Sequence, residues 1–102
     1  MTSTSNHRLH LKIRDRLEAL STLPADDESE MNGREAGYEI RVSTKPGCYY
    51  RIEVEGPDHE EAENAIIAAS FGFIGDKTHM TYSIHRRASY VFAEIGRKKV
   101  TA

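Results

Sequence analysis

Apolar and polar positions along this chain follow two different periods. Leu9, Ile13, Leu17 and Leu20 recur at i, i+4, i+8 and i+11, which is one face of an α-helix. The spacing predicts a helix over about 7–22, with Arg8, Lys12, Asp15, Arg16 and Glu18 on its wet face. Ser5 or Asn6 can cap its start by accepting an orphan backbone N–H. Pro24 ends it, because the residue before a proline is driven out of helical conformation.

Period 2 takes over at Gly37. Tyr38, Ile40 and Val42 alternate with Glu39, Arg41 and Ser43, and Tyr50, Ile52 and Val54 alternate with Arg51, Glu53 and Glu55. Side chains flip face at every residue of a strand, so both runs predict half-buried strands. Pro46-Gly47-Cys48 joins them as a tight loop. Residues that share a face must pair with numbers summing to an even total. A sum of 92 sets Glu39 against Glu53 and Arg41 against Arg51. A sum of 94 leaves one like-charge pair, Glu39 with Glu55, and sets Arg41 against Glu53 and Val42 against Ile52. The second register is the one predicted.

Gly56-Pro57-Asp58-His59-Glu60-Glu61 opens a second helix, with Asp58 as cap, Glu61 placed for a capping box and carboxylates at the positive end of the dipole. Ala62, Ala65, Ile66 and Ala69 form a narrow face that lets this helix lie close on a sheet, and Gly72 is its expected stop. Met80, Tyr82 and Ile84 alternate with His79, Thr81, Ser83 and His85, and Tyr90 to Ile95 forms a last strand, joined through His85–Ser89 as a second hairpin. Residues 24–36 show neither period and are strongly acidic, so they are expected as a loop.

The expected fold is therefore one α+β domain of order α-β-β-α-β-β. It has a four-stranded antiparallel sheet with the helices packed on one face. It spans 7–96, with 1–6 disordered and 97–102 a basic tail. The other face of the sheet would show Glu39, Arg41, Arg51, Glu53, His79, Thr81 and Ser83 to water.

Length and charge narrow the picture. One hundred and two residues allow one domain. The net charge of −2 excludes a generally basic nucleic-acid coat. The charge is nonetheless segregated: +2 over 1–23, −4 over 24–36, zero over 37–56, −4 over 57–72 and +4 over 73–102. Such signed segments steer partners more than they determine fold. No apolar run approaches the ~20 residues of a membrane span, and the N-terminus lacks a secretory layout. The single Cys48 allows no internal disulfide and fits a reducing cytoplasm.

Candidate chemistry is sparse. His7 and His10, and His79 and His85, lack the companions a metal site needs. His59 beside Glu60 and Glu61 is explained by a charged capping turn. Cys48 has no sequence-visible base. Arg86-Arg87-Ala88-Ser89 has the form of a basophilic kinase site and equally of an arginine-rich turn. Tyr49, Tyr50, Arg51, Arg41, His85, Arg86, Arg87 and Tyr90 gather at the hairpins, a mixture able to stack bases and meet phosphates. Glu39, Glu53 and Glu55 on the same strands oppose that use.

Two stretches resemble known families, each over about a third of the chain. Tyr38-Glu39-Ile40-Arg41-Val42, then Tyr50 to Gly56, then Glu60 to Ala65, resembles the hairpin-then-helix of double-stranded-RNA-binding domains, without their third strand and their lysine run before the last helix. Pro46-Gly47-Cys48 with Glu60-Glu61-Ala62 is similar to the HicB-type antitoxin fold, where glycine and helix follow more closely. In size, charge segregation and want of a catalytic set the chain also resembles small phage or mobile-element proteins, some of which inhibit host defence complexes such as CRISPR by masking a surface. The expectation is a non-enzymatic, cofactor-free binding protein that docks on a protein or ribonucleoprotein partner. The residues expected at the partner are Asp26, Asp27, Glu28, Glu30, Arg41, Tyr49, Arg51, His85, Arg86 and Arg87. The alternative is an RNA- or single-stranded-DNA-binding module built on the Arg/Tyr hairpins.

Overall fold

The computed structural model describes residues 3–23, 28–45, 49–74 and 82–96. Helix α1 (Ser3–Ser21) is followed by strands β1 (Ser29–Glu35), β2 (Tyr38–Lys45) and β3 (Tyr49–Glu55), helix α2 (His59–Ile74), and strands β4 (Tyr82–Arg86) and β5 (Tyr90–Gly96). The sheet is antiparallel throughout, with five strands in the order β1-β2-β3-β5-β4. Among the described residues no helix is long and apolar enough to cross a membrane.

The order is thus α-β-β-β-α-β-β, with one strand more than the sequence predicts. The segment expected as an acidic loop over 24–36 carries β1 at 29–35, paired to β2 from Ser29↔Thr44 to Glu35↔Tyr38. The strand escapes the period-2 test because its inward positions are Ser29, Met31, Gly33 and Glu35, only one of them apolar. What makes it a strand is the turn. Ala36 (φ 55°) and Gly37 (φ 84°) form a two-residue loop with both central residues left-handed, the geometry that continues the natural twist of a hairpin. Thr44 Oγ1 secures the far end by accepting the Ser29 N–H at 2.9 Å.

The β2–β3 register is the predicted sum of 94, with Arg41↔Glu53, Val42↔Ile52 and Ile40↔Val54. Its like-charge pair, Glu39↔Glu55, is relieved from β1, where Arg34 donates to Glu39 at 2.6 Å.

Both helices lie on one face of the sheet. Leu9, Ile13, Leu17 and Leu20 of α1 and Ala62, Ala65, Ile66 and Ala69 of α2 are buried against Ile40, Val42, Ile52, Val54, Val91, Ala93 and Ile95. The alanine face of α2 does what its size predicts. Asp58 caps this helix, its Oδ1 accepting the N–H groups of Glu60 at 3.0 Å and Glu61 at 3.2 Å. The helix does not stop at Gly72. It runs on to Ile74 because Phe73 packs edge-to-face on Tyr50, with centroids 5.3 Å apart, and that contact outweighs the weak propensity of one glycine. Helix α1 begins at Ser3, before the expected Ser5 or Asn6 cap, and closes at Ser21. There the hydroxyls of Ser21 and Thr22 donate to the carbonyls of Glu18 and Ala19.

Tyr38 joins three elements. Its ring lies on Gly56, where any added Cβ would occupy the ring's own space. Its hydroxyl donates to Glu61 Oε1 at 2.8 Å. Burial, and then the Glu61 carboxylate, push the phenol up to about 12.

Two outcomes follow for stability. Ala36 stands in a left-handed conformation that costs an L residue about 1 kcal/mol. Ala36→Asn, which favours that conformation, is expected to raise the urea midpoint by an equivalent amount with an unchanged m-value. For Tyr38 the folded-state pKa is above the unfolded value near 10. The hydroxyl's contribution is therefore complete below pH 10 and lost as pH rises toward 12. Unfolding titrations from pH 9 to 12 should show a steeper alkaline loss in the natural chain than in Tyr38→Phe. Equal slopes would place the titration elsewhere.

Candidate functional site: the open face of the sheet

With both helices on one face, alternation sends the other half of each strand to the opposite side. Among the described residues no element covers that side. Cross-strand register lays it out in rows: Arg34, Glu39, Glu55 and Tyr90; then Asn32, Arg41, Glu53, Phe92 and His85; then Glu30, Ser43, Arg51, Glu94 and Ser83.

The centre of this face is Phe92. It is aromatic on the wet side of the sheet, yet only 6 % exposed. Polar side chains cover it. The Arg51 guanidinium lies 4.1 Å from the ring centroid and that of Arg87 5.0 Å away. His85 stacks on it with centroids 5.0 Å apart and planes 28° from parallel, and Tyr90 leans in at 6.1 Å. Arginine suits this position because a planar, weakly hydrated cation can sit on a ring and bond carboxylates at its edge. Arg51 does both, donating from Nε to Glu53 at 3.0 Å and from Nη1 to Glu94 at 3.4 Å.

That arrangement leaves one partner over. Arg41 stands opposite Glu53 in the register, but the Glu53 carboxylate is held by Arg51. Arg41 makes no ion pair among the described residues. It is exposed, and with Asn32, Gly33, Arg34, Glu39 and Ile40 it lines an open depression of about 370 Å³.

The expected site residues separate accordingly. Arg41, Arg51, His85 and Arg87 meet on or beside the open face. Glu30 is there too, on β1 rather than in a loop, accepting from Asn32 Nδ2 at 2.9 Å. Glu28 is exposed just before β1. Asp26 and Asp27 lie outside the described residues, as do Cys48, His79, Thr81 and the side chain of Tyr49.

Arg86 is elsewhere. It points to the helix side and grips Glu63 of α2 at both oxygens, Nε to Oε2 at 3.0 Å and Nη2 to Oε1 at 3.2 Å. The hairpin therefore holds Arg86 and Arg87 on opposite faces of the sheet. A kinase reading Arg86-Arg87-Ala88-Ser89 as one extended strip would find its two arginines apart.

The acidic start of α2 is also occupied. Asp58 caps, Glu61 accepts from Tyr38 and Glu63 holds Arg86. The histidines stay dispersed. His7 and His10 touch edge-to-face at 5.9 Å on α1, where burial, and then His7 and Arg14, push His10 down. His59 is half-buried in the first turn of α2. Among the described residues no three metal-binding side chains come together.

Phe92 is the residue the sequence reading missed. Its signal was present, since Val91, Ala93 and Ile95 facing inward force Tyr90, Phe92 and Glu94 outward. If the ring and Arg51 interact as the geometry indicates, a double-mutant cycle of Arg51→Met and Phe92→Leu should return a coupling of about 0.5–1 kcal/mol in urea unfolding. Additive effects would reduce the cluster to ordinary packing.

Strand β1 precedes the β2–β3 hairpin, and helix α2 opens on Asp58, Glu60 and Glu61. No protein-family model, curated protein or solved structure matches the chain.

Proposed function

We propose that this chain is a non-enzymatic binding protein that docks on a protein partner through the open face of its sheet. The observation that carries the reading is the charge mosaic around Phe92. Arginines and glutamates alternate across four strands, and most are already paired with one another. Phosphate chains call for an uninterrupted cationic track, and bases call for an open aromatic face. Neither matches a face where Glu39, Glu53, Glu55 and Glu94 interrupt the arginines and Phe92 is covered. A protein surface with its own alternating charges does match it, because interleaved signs set register and exclude wrong partners.

The arginines with freedom to act are Arg41, exposed beside the depression, and Arg87, exposed above Phe92. Neither holds up the core, so both can be reversed without unfolding the chain. The test compares the tagged natural chain with Arg41→Glu/Arg87→Glu in capture from cells of its source. A protein partner retained by the first and lost by the second, at equal melting temperature, is the expected result. A labelled 20-nucleotide RNA strand and a 20-base-pair RNA duplex serve as the counter-probe at low salt. No retention of either is expected. Retention that falls steeply with rising salt would establish the nucleic-acid reading in its place.

A further inference from the structure

The two edges of the sheet are treated differently. At one edge, β1 presents the outward backbone groups of Glu30, Asn32 and Arg34, since the closing pair of its two-residue turn, Glu35↔Tyr38, fixes the alternation. This edge is guarded. Arg16 reaches across from α1 and donates from Nη2 to the Asn32 carbonyl at 3.2 Å. Its guanidinium fills the space beside Gly33 that a Cβ would need. A long cationic side chain over a strand edge is a standard block to strand addition.

At the other edge, the Arg87 N–H donates to the Tyr90 carbonyl at 2.7 Å and closes the β4–β5 hairpin. Counting back from that bonded pair, Tyr82, Ile84 and Arg86 turn their N–H and C=O groups away from β5. Among the described residues no side chain caps these groups. Arg86, the cation that could do so, is drawn to Glu63 on the helix side. Ile84 is half-buried and packed against the core.

We infer that β4 is a strand-addition edge and that its occupant is β4 of a second copy, joining two sheets into one across a two-fold axis. Register carries the choice of occupant. A two-fold antiparallel pair centres either on an outward residue, which bonds its own copy, or on an inward one, which faces its copy without bonds. Centring on Ser83 or His85 leaves one of the three outward residues beyond the end of the partner strand. Centring on Arg86 opposes two arginines and runs Ile84 into the partner's hairpin turn. Centring on Ile84 pairs Ile84 with Ile84, and Tyr82 with Arg86, in both directions. It uses all three outward residues of each strand, opposes no like charges and completes the burial of Ile84. The strand is self-complementary in this register. The open face stays free, so this inference stands apart from the proposed docking function.

Sedimentation of the full chain over a wide concentration range is the first test, with a reversible dimer expected. Amide exchange at Tyr82, Ile84 and Arg86 should slow as concentration rises, while that at Glu30 and Arg34 should not. Ile84→Lys and Ile84→Glu should each be monomeric, and mixing them one to one should restore the dimer, because the register places the two side chains opposite each other. A natural chain that stays monomeric at every concentration overturns the inference, whether or not the variants fold. So does a dimer whose concentration-dependent protection lies elsewhere than β4.

Discussion

The fold turns on the position of one ring. Tyr38 leaves the β1–β2 turn, lies across Gly56 at the end of β3, and delivers its hydroxyl to Glu61 in the first turn of α2. A slip of one residue in β2 would send this ring to the open face and bring Glu39 into the core. One side chain with a polar end therefore ties the β1–β2 turn, the end of β3 and the start of α2 together. Gly56 is part of the device, since only a residue without Cβ leaves room for the ring.

Much of the conspicuous charge in the chain has work inside the molecule. The acidic run at 58–63 invites a reading as a docking patch. In the fold its members cap α2, hold Tyr38 and fasten β4 through Arg86. Surface ion pairs are each worth little, yet Glu63 and Arg86 form a two-bond contact between an edge strand and a helix, where position matters more than energy. Charge density along a sequence is thus a poor guide to a binding surface until each group's internal partner is known.

Legibility followed from how strongly each segment's burial was written in apolar residues. Helix α1, the β2–β3 register and the alanine face of α2 were all readable, because in each a core-facing side chain recurs at the proper period. Strand β1 was not, because its inward positions include Gly33 under Arg16 and Glu35 beside Lys12. Those positions face a helix's polar flank rather than the core, so no apolar alternation marks them. Only the Ala36-Gly37 turn betrayed the strand, and alanine is an unusual first residue there. The same omission hid Arg34, which relieves the one like-charge pair of the chosen register. At the candidate site, Arg41, Arg51, His85 and Arg87 were readable as hairpin side chains, but their arrangement around Phe92 was not. That arrangement depends on β5 lying between β3 and β4, and strand order is absent from local pattern.

An aromatic ring on the open face of a sheet gains from being taken out of water. Here the molecule covers Phe92 with its own cations, and the two main covers are not equivalent. Arg51 is held from two sides by Glu53 and Glu94 and cannot leave without exposing both carboxylates. Arg87 sits at the hairpin tip with no carboxylate among the described residues to hold it. On the proposed docking reading, a partner carboxylate would compete with the ring for Arg87, while Arg51 would stay in place. If the open face is the docking surface, the division between a fixed arginine and an unpaired one would decide which part of the Phe92 cover a partner can displace.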